Sequence, residues 1–155
     1  MEQRHQVQKI ATKSVYTVYM SALLEYPSVR EGRDHLKDVL DAADAGRPAV
    51  IRRDQQKLAA VDAERLVRFL MSVRPAGVQA VAENGGWSLF IPGLPIAADG
   101  DTLENATAEL IEALRDYAEA WVERLSHAPN HSDNWGLVQL ISLATDDQLR
   151  QWIGK

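Results

Sequence analysis

The sequence predicts an α+β chain built from two small modules. Three observations carry that expectation. Apolar residues recur at helical spacing in several separate stretches, short apolar runs joined by turn residues read as two β-hairpins, and the charge balance reverses near residue 75. Residues 1–74 hold 13 Lys and Arg against 10 Asp and Glu, a balance of +3, whereas residues 75–155 hold 4 against 12, a balance of −8. A mildly basic half followed by an acidic one suggests two surfaces with different partners. A solvated acidic helix would explain much of the same asymmetry, and charge alone does not choose between them.

Composition narrows the class. With 155 residues, 46% hydrophobic and 25% charged, the chain has the make-up of a folded protein of one domain or two small ones. It contains no cysteine, which excludes disulfides, zinc–thiolate sites and thiol catalysis. That absence is compatible with a reducing cytoplasm, the expected location. Apolar runs are only a few residues long, far below the ~20 needed to cross a bilayer. No uninterrupted apolar core precedes Glu25, so neither a signal peptide nor a membrane partner is expected.

Residues 1–25 read as an N-terminal extension, polar and mixed over the first 19, with Met20 as an alternative start. From about Ser28 or Arg30 a helix begins, on which Leu36, Val39, Leu40 and Ala43 fall at i, i+3, i+4 and i+7. Gly46 is placed to end it in a left-handed cap, and Pro48 prevents its continuation. Ala49-Val50-Ile51 and Leu58 to Val61 form a hairpin around Asp54-Gln55-Gln56. Asp62 can cap a second helix, with Leu66, Phe69, Leu70 and Val73 as its buried face. The unit, residues 26–74, is marginal as a lone domain, and dimerisation would supply the missing core.

This half resembles the Phd/YefM (prevent-host-death) family of antitoxins. The residues that carry the likeness are Ser28-Val29-Arg30-Glu31-Gly32-Arg33-Asp34-His35-Leu36, Ala45-Gly46-Arg47-Pro48-Ala49-Val50-Ile51-Arg52-Arg53 and Lys57-Leu58-Ala59-Ala60-Val61. Gly32 replaces the family's alanine, and Arg30 replaces a small polar residue. The resemblance implies a homodimer, or a higher homo-oligomer, that binds operator DNA and represses its own operon. It assigns DNA contact to Arg33 and Arg53, with Arg30 and Arg52 as neighbouring candidates. Arginines at a helix start and a hairpin edge suit phosphates or base edges. From the residues alone, solvated surface arginines beside Asp34 and Asp54 fit as well.

The second half, residues 75–155, opens with Val78, Ala80 and Val81, then Asn84-Gly85-Gly86, then Trp87, Leu89 and Ile91 in alternation. That is a hairpin signal, since positive φ is easy at Asn-Gly-Gly. Thr102 or Asp101 caps a helix of five to six turns, and Asp101 with Glu104 has capping-box spacing. Leu103, Ala106, Leu110, Leu114, Tyr117, Trp121 and Leu125 form its apolar stripe. This half resembles a HicB-like antitoxin domain, carried by Gly85 to Pro95 and by Gly100-Asp101-Thr102-Leu103-Glu104-Asn105-Ala106. The DNA-binding-like unit comes first here, the reverse of the family's usual order. The resemblance implies a partial ribonuclease H-like fold, three strands backing a helix, that binds a cognate toxin and has no catalysis.

A hydrolase using Asp99, Asp101 or Glu104 needs a convergent third ligand or base, and none is evident nearby. The calcium-loop spacing is also missing. His127 and His131 stand four apart, but Pro129 between them indicates a connector rather than a metal site. Ser132 or Asp133 caps a helix bearing Trp135, Val138, Leu140 and Ile141, and Thr145 with Gln148 forms a capping box ahead of Leu149, Trp152 and Ile153. These two helices either pack on the domain core or offer Trp135, Val138, Ile141 and Trp152 as anchors to the toxin. The expected protein is a non-enzymatic type II antitoxin without cofactor or metal. It would occlude a cognate, basic ribonuclease toxin and repress its operon. The alternative is an orphan transcriptional regulator with a ligand-sensing or assembly domain.

Overall fold

The computed structural model describes residues 23–155, so most of the N-terminal extension, with Met20, lies outside the described residues. The described chain is α+β and divides into two compact units, one ending at Asp62 and one running from Ala63 to Lys155. No helix among the described residues is long and apolar enough to cross a membrane.

In the N-terminal unit the segment ahead of the first helix, open between strand and coil from sequence, is a strand, β1 (Leu24–Tyr26), that pairs in parallel with β2 (Ala49–Arg53). The expected hairpin joins β2 to β3 (Gln56–Ala60), with Asp54 in the left-handed region at φ 52°. The helix expected from Ser28 is two helices, α1 (Val29–Asp34) and α2 (Leu36–Asp44), separated at His35. Ser28 caps the first by accepting from the Glu31 amide at 3.2 Å. Gly46, at φ 76°, ends the second as expected, in a Schellman arrangement: its N–H reaches Ala43 O and the Arg47 N–H reaches Ala42 O, both at 2.9 Å.

The buried residues of this unit are few. Val39, Ala42 and Ala49 form the cluster, with Leu24, Tyr26, Ile51 and Ala60 packed on it. The break at His35 turns the helix so that Val39, Ala42 and Ala43 are buried, while Leu36 and Leu40 of the expected stripe face outward. Gly32 explains its own departure from alanine: a Cβ there would stand 2.7 Å from Ile51 Cδ1 and 2.9 Å from Cγ1. Helix α1 therefore lies directly on β2.

Helix α3 (Ala63–Val73), read from sequence with the first unit, packs in the second. Its buried residues are Val67 and Leu70; Phe69 and Val73, expected inward, are more than half exposed. The stripe is turned because Leu70 sits 3.8 Å from where a Cβ on Gly136 would be, aiming the Val67–Leu70 side at the core. Strands β4 (Gln79–Glu83), β5 (Gly86–Phe90) and β6 (Ala97–Gly100) form an antiparallel sheet in that order. The Asn84-Gly85 turn has positive φ at both residues, 49° and 80°, the type I′ geometry that matches strand twist.

Helix α4 (Leu103–Ala120) follows, continued by one π-helical turn, Trp121–Leu125. Its N-cap is Thr102, accepting from the Asn105 amide at 3.1 Å, so Asp101 and Glu104 do not form the expected capping box. Leu110, Ile111 and Leu114 are buried against Leu89, Ile91 and Ile96, whereas Leu103 is exposed at the helix start. A 3-10 turn, Ser132–Asn134, precedes α5 (Trp135–Leu143), and α6 (Asp146–Ile153) has the expected Thr145–Gln148 capping box.

Two tight features organise this unit. A Cβ on Gly100 would lie 2.8 Å from Ala106 Cα, against the first turn of α4, and one on Gly86 would lie 2.8 Å from Gly100 O. Arg115 of α4 donates to Ile141 O, to Ala144 O at 2.9 Å and to Asp146 Oδ1 at 2.8 Å. One guanidinium thus satisfies the last carbonyls of α5 and holds the first turn of α6.

Gly100→Ala has only backbone to push against and is expected to destabilise the protein by about 3 kcal/mol or more. Gly85→Ala, with space but unfavourable φ, should cost only ~1 kcal/mol. Arg115→Met should cost about 2 kcal/mol through the carbonyls it leaves unpaired. Chemical denaturation of the three variants checks this order.

Candidate functional site

The four arginines assigned to DNA do not share one environment. Residues 49, 51 and 53 of β2 lie on one sheet face and residues 50 and 52 on the other, because side chains alternate along a strand. The α1 helix covers the Ile51 side, so Arg53 shares that side with the helix carrying Arg30 and Arg33. Arg33 makes an ion pair with Asp34 at 3.2 Å, both side chains largely exposed. Such a pair is weak and exchanges readily for a stronger acceptor. Arg52 points the other way and donates from Nε to Glu25 Oε1 at 2.5 Å, a contact supplied by β1. Residues 23–62 carry seven Lys and Arg against eight Asp and Glu, so any attraction for polyanions is local to this face.

Neighbouring α2 is laced with local pairs. Lys37 binds Asp41 one turn on, and that carboxylate raises the lysine's pKa above its ordinary value. Tyr26 stacks on His35 with ring centres 5.2 Å apart and donates to Asp38 Oδ2 at 3.4 Å. Its phenol pKa is raised, first by desolvation and then by the Asp38 charge.

In the C-terminal unit, edge strand β6 and α4 border an open groove of about 550 Å³. Its floor is small, with Ala97, Ala98, Ala108 and Ala113, and its walls carry Asp99, Asp101, Glu109, Glu112 and Asp116. No basic side chain lines it. Among the described residues no cluster of His, Asp or Glu is arranged to hold a metal ion. His131 is bonded through Nδ1 to the Tyr117 hydroxyl at 3.0 Å, within a polar chain that continues through Asn134 to Arg74.

Of the four apolar anchors named from sequence, Val138, Ile141 and Trp152 are at most 1% exposed. They pack on the domain's own core and are not surface anchors in this structure. Trp152 also donates from its indole to Arg74 O at 2.6 Å. Trp135 remains 56% exposed. Arg74, Asn134 and Arg115 were not singled out from sequence. Arg115 had a signal, as the lone cation of a helix otherwise bearing only acidic charges. Arg74 and Asn134 had none, being 60 positions apart.

A family model named PHD_like, described as the antitoxin of a RelE/RelB toxin-antitoxin system, matches residues 20–153. The fold is similar to a crystal structure described as the antitoxin part of a proposed toxin/antitoxin system from Syntrophomonas wolfei subsp. wolfei. The TM-score is 0.68 at 16% identity, covering 84% of this chain and 94% of that one. At that identity the likeness shows the fold alone. No curated protein matches the sequence.

The cap geometry separates a structural from a chemical role for the Asp99–Glu104 stretch. Thr102→Ala should lower stability by ~1 kcal/mol, whereas Asp101→Ala, exposed and outside the cap, should stay within about 0.5 kcal/mol of the parent. Thermal unfolding of both variants measures the difference.

Proposed function

The chain belongs to the PHD_like family of toxin-antitoxin antitoxins, and from that premise we propose that it is a type II antitoxin with two working faces. The N-terminal unit dimerises and binds operator DNA, and the C-terminal unit occludes a basic ribonuclease toxin. The order of elements supports a Phd/YefM-like unit ahead of a HicB-like one: helix and hairpin first, then a three-stranded antiparallel sheet with one long helix.

The observation that carries the toxin half is the groove between β6 and α4. Five carboxylates flank it, with no cation among its lining residues, and an edge strand leaves backbone groups open beside it. Such a surface steers a basic protein to encounter and can pair with an extended segment of it. Trp135 is the exposed aromatic anchor retained from the sequence reading. Arg30, Arg33 and Arg53 carry the DNA half, and Arg52, held by Glu25 on the opposite sheet face, contributes least.

Co-expression with the product of the adjacent gene, followed by pull-down, tests the toxin half. A complex is expected, and Glu109→Lys with Glu112→Lys should slow its formation about tenfold or more at low salt. In an operator gel shift, Arg33→Ala and Arg53→Ala should each weaken binding by about tenfold and reduce the salt slope by ~1. Arg52→Ala should change little. Unchanged binding in the first two removes the assignment.

A further inference from the structure

A second cavity in the C-terminal unit has the opposite character to the acidic groove. It measures about 410 Å³, a size common for small-molecule sites, and its lining includes Arg74, Asn130, Asn134, Ile91, Leu137 and Trp152. Residues 63–155 carry seven Lys and Arg against 13 Asp and Glu. Yet Arg74 is the sole charged side chain among the residues lining this cavity. An anion entering it meets no carboxylate in the walls.

The cation is held in place. Arg74, half-buried, donates from Nη2 to Asn134 Oδ1 at 3.0 Å. Asn134 in turn donates from Nδ2 to the Tyr117 hydroxyl at 2.8 Å, which pairs with His131 Nδ1 at 3.0 Å. One guanidinium nitrogen is thereby committed, and the planar fork keeps further N–H groups for a ligand. Beneath lie Leu137 and Trp152, each 1% exposed, and Ile91 at 6%. The Pro92-Gly93-Leu94 stretch closes another wall. A fixed guanidinium and two side-chain amides over an apolar floor suit an amphipathic anion. A phosphate dianion would find one cation and an apolar surface for its remaining oxygens, which disfavours it.

We propose that this cavity binds a carboxylate carried on an apolar stem. The carboxylate pairs with Arg74 and the primary amide of Asn130, and the stem lies over Ile91, Leu137 and Trp152. Its source is a free small organic acid or the C-terminal residue of a polypeptide; both present the same group. The site stands on the cavity alone and does not require the toxin or DNA assignments.

The test is a titration of the ¹⁵N-labelled full chain, following the Trp152 indole N–H, which is bonded to Arg74 O at the cavity floor. The probes are benzoate, benzamide, and a short peptide ending in leucine as free acid or as amide. A saturable shift with an acid but not its amide is expected. A response to benzoate identifies a free-acid site, and a response to the peptide acid alone identifies a polypeptide terminus. Arg74→Gln should weaken acid binding by about tenfold while keeping the main-chain carbonyl that holds Trp152. Asn130→Asp, at an exposed position, adds a repelling charge without touching the core and should weaken it similarly. No shift at about 10 mM of either acid, equal response to acid and amide, or unchanged affinity in both variants overturns the proposal.

Discussion

The C-terminal unit depends on one close approach: β5 meets the end of β6, and the end of β6 meets the first turn of α4, with glycine at both contacts. Gly86 faces Gly100 O, and Gly100 faces the backbone of Ala106. That contact lets the helix start immediately after the strand, with Thr102 as the cap. It thereby sets the direction in which α4 crosses the sheet. The buried row Ala106, Leu110, Leu114 and Tyr117 then joins Leu89 and Ile91 in one core. The string Gly85-Gly86 to Gly100-Asp101-Thr102 is the sequence record of this geometry, and its carboxylates border the contact without making it.

Local chemistry was legible from sequence because it depends on neighbours a few residues apart. Ser28, Gly46, the Asn84-Gly85 turn and the Thr145–Gln148 box all function as their residue types require. Periodicity was less sufficient. It identified α2 and α3 as helices but assigned Leu36, Leu40, Phe69 and Val73 to the buried side, where adjacent stripes are equally apolar. The choice between such stripes is made by distant partners, Ile51 and Ala49 for the first unit and Gly136 for the second. The parallel β1–β2 pairing was hidden for the same reason, since three residues carry no period of their own. The cavity around Arg74 was invisible to sequence, assembled as it is from segments near 75, 92, 132 and 152.

Charge in this protein is organised by face rather than by half. The apparent division at residue 75 blurs in the structure, since α3 with Arg65, Arg68 and Arg74 belongs to the acidic unit. What remains are local fields. One side of β2 and α1 presents three arginines, a groove beside α4 presents five carboxylates, and a smaller cavity presents one oriented guanidinium. Each field acts over about a Debye length, so surfaces of opposite sign can serve different partners on one small chain.

The second unit is tied shut by residues from its two ends. Gln148 reaches Glu64 at 3.0 Å, and the Trp152 indole reaches the carbonyl of Arg74. During synthesis, then, α3 emerges with its apolar face uncovered and waits more than sixty positions for its α5 partner at Gly136, whereas the first unit's sheet closes with strands already made. A ribosome that stalls between Arg74 and Trp152 leaves a chain whose second unit is still open. Such a fragment exposes Val67 and Leu70 to proteases, and the time taken to translate α4 to α6 becomes a period of vulnerability written into the order of the elements.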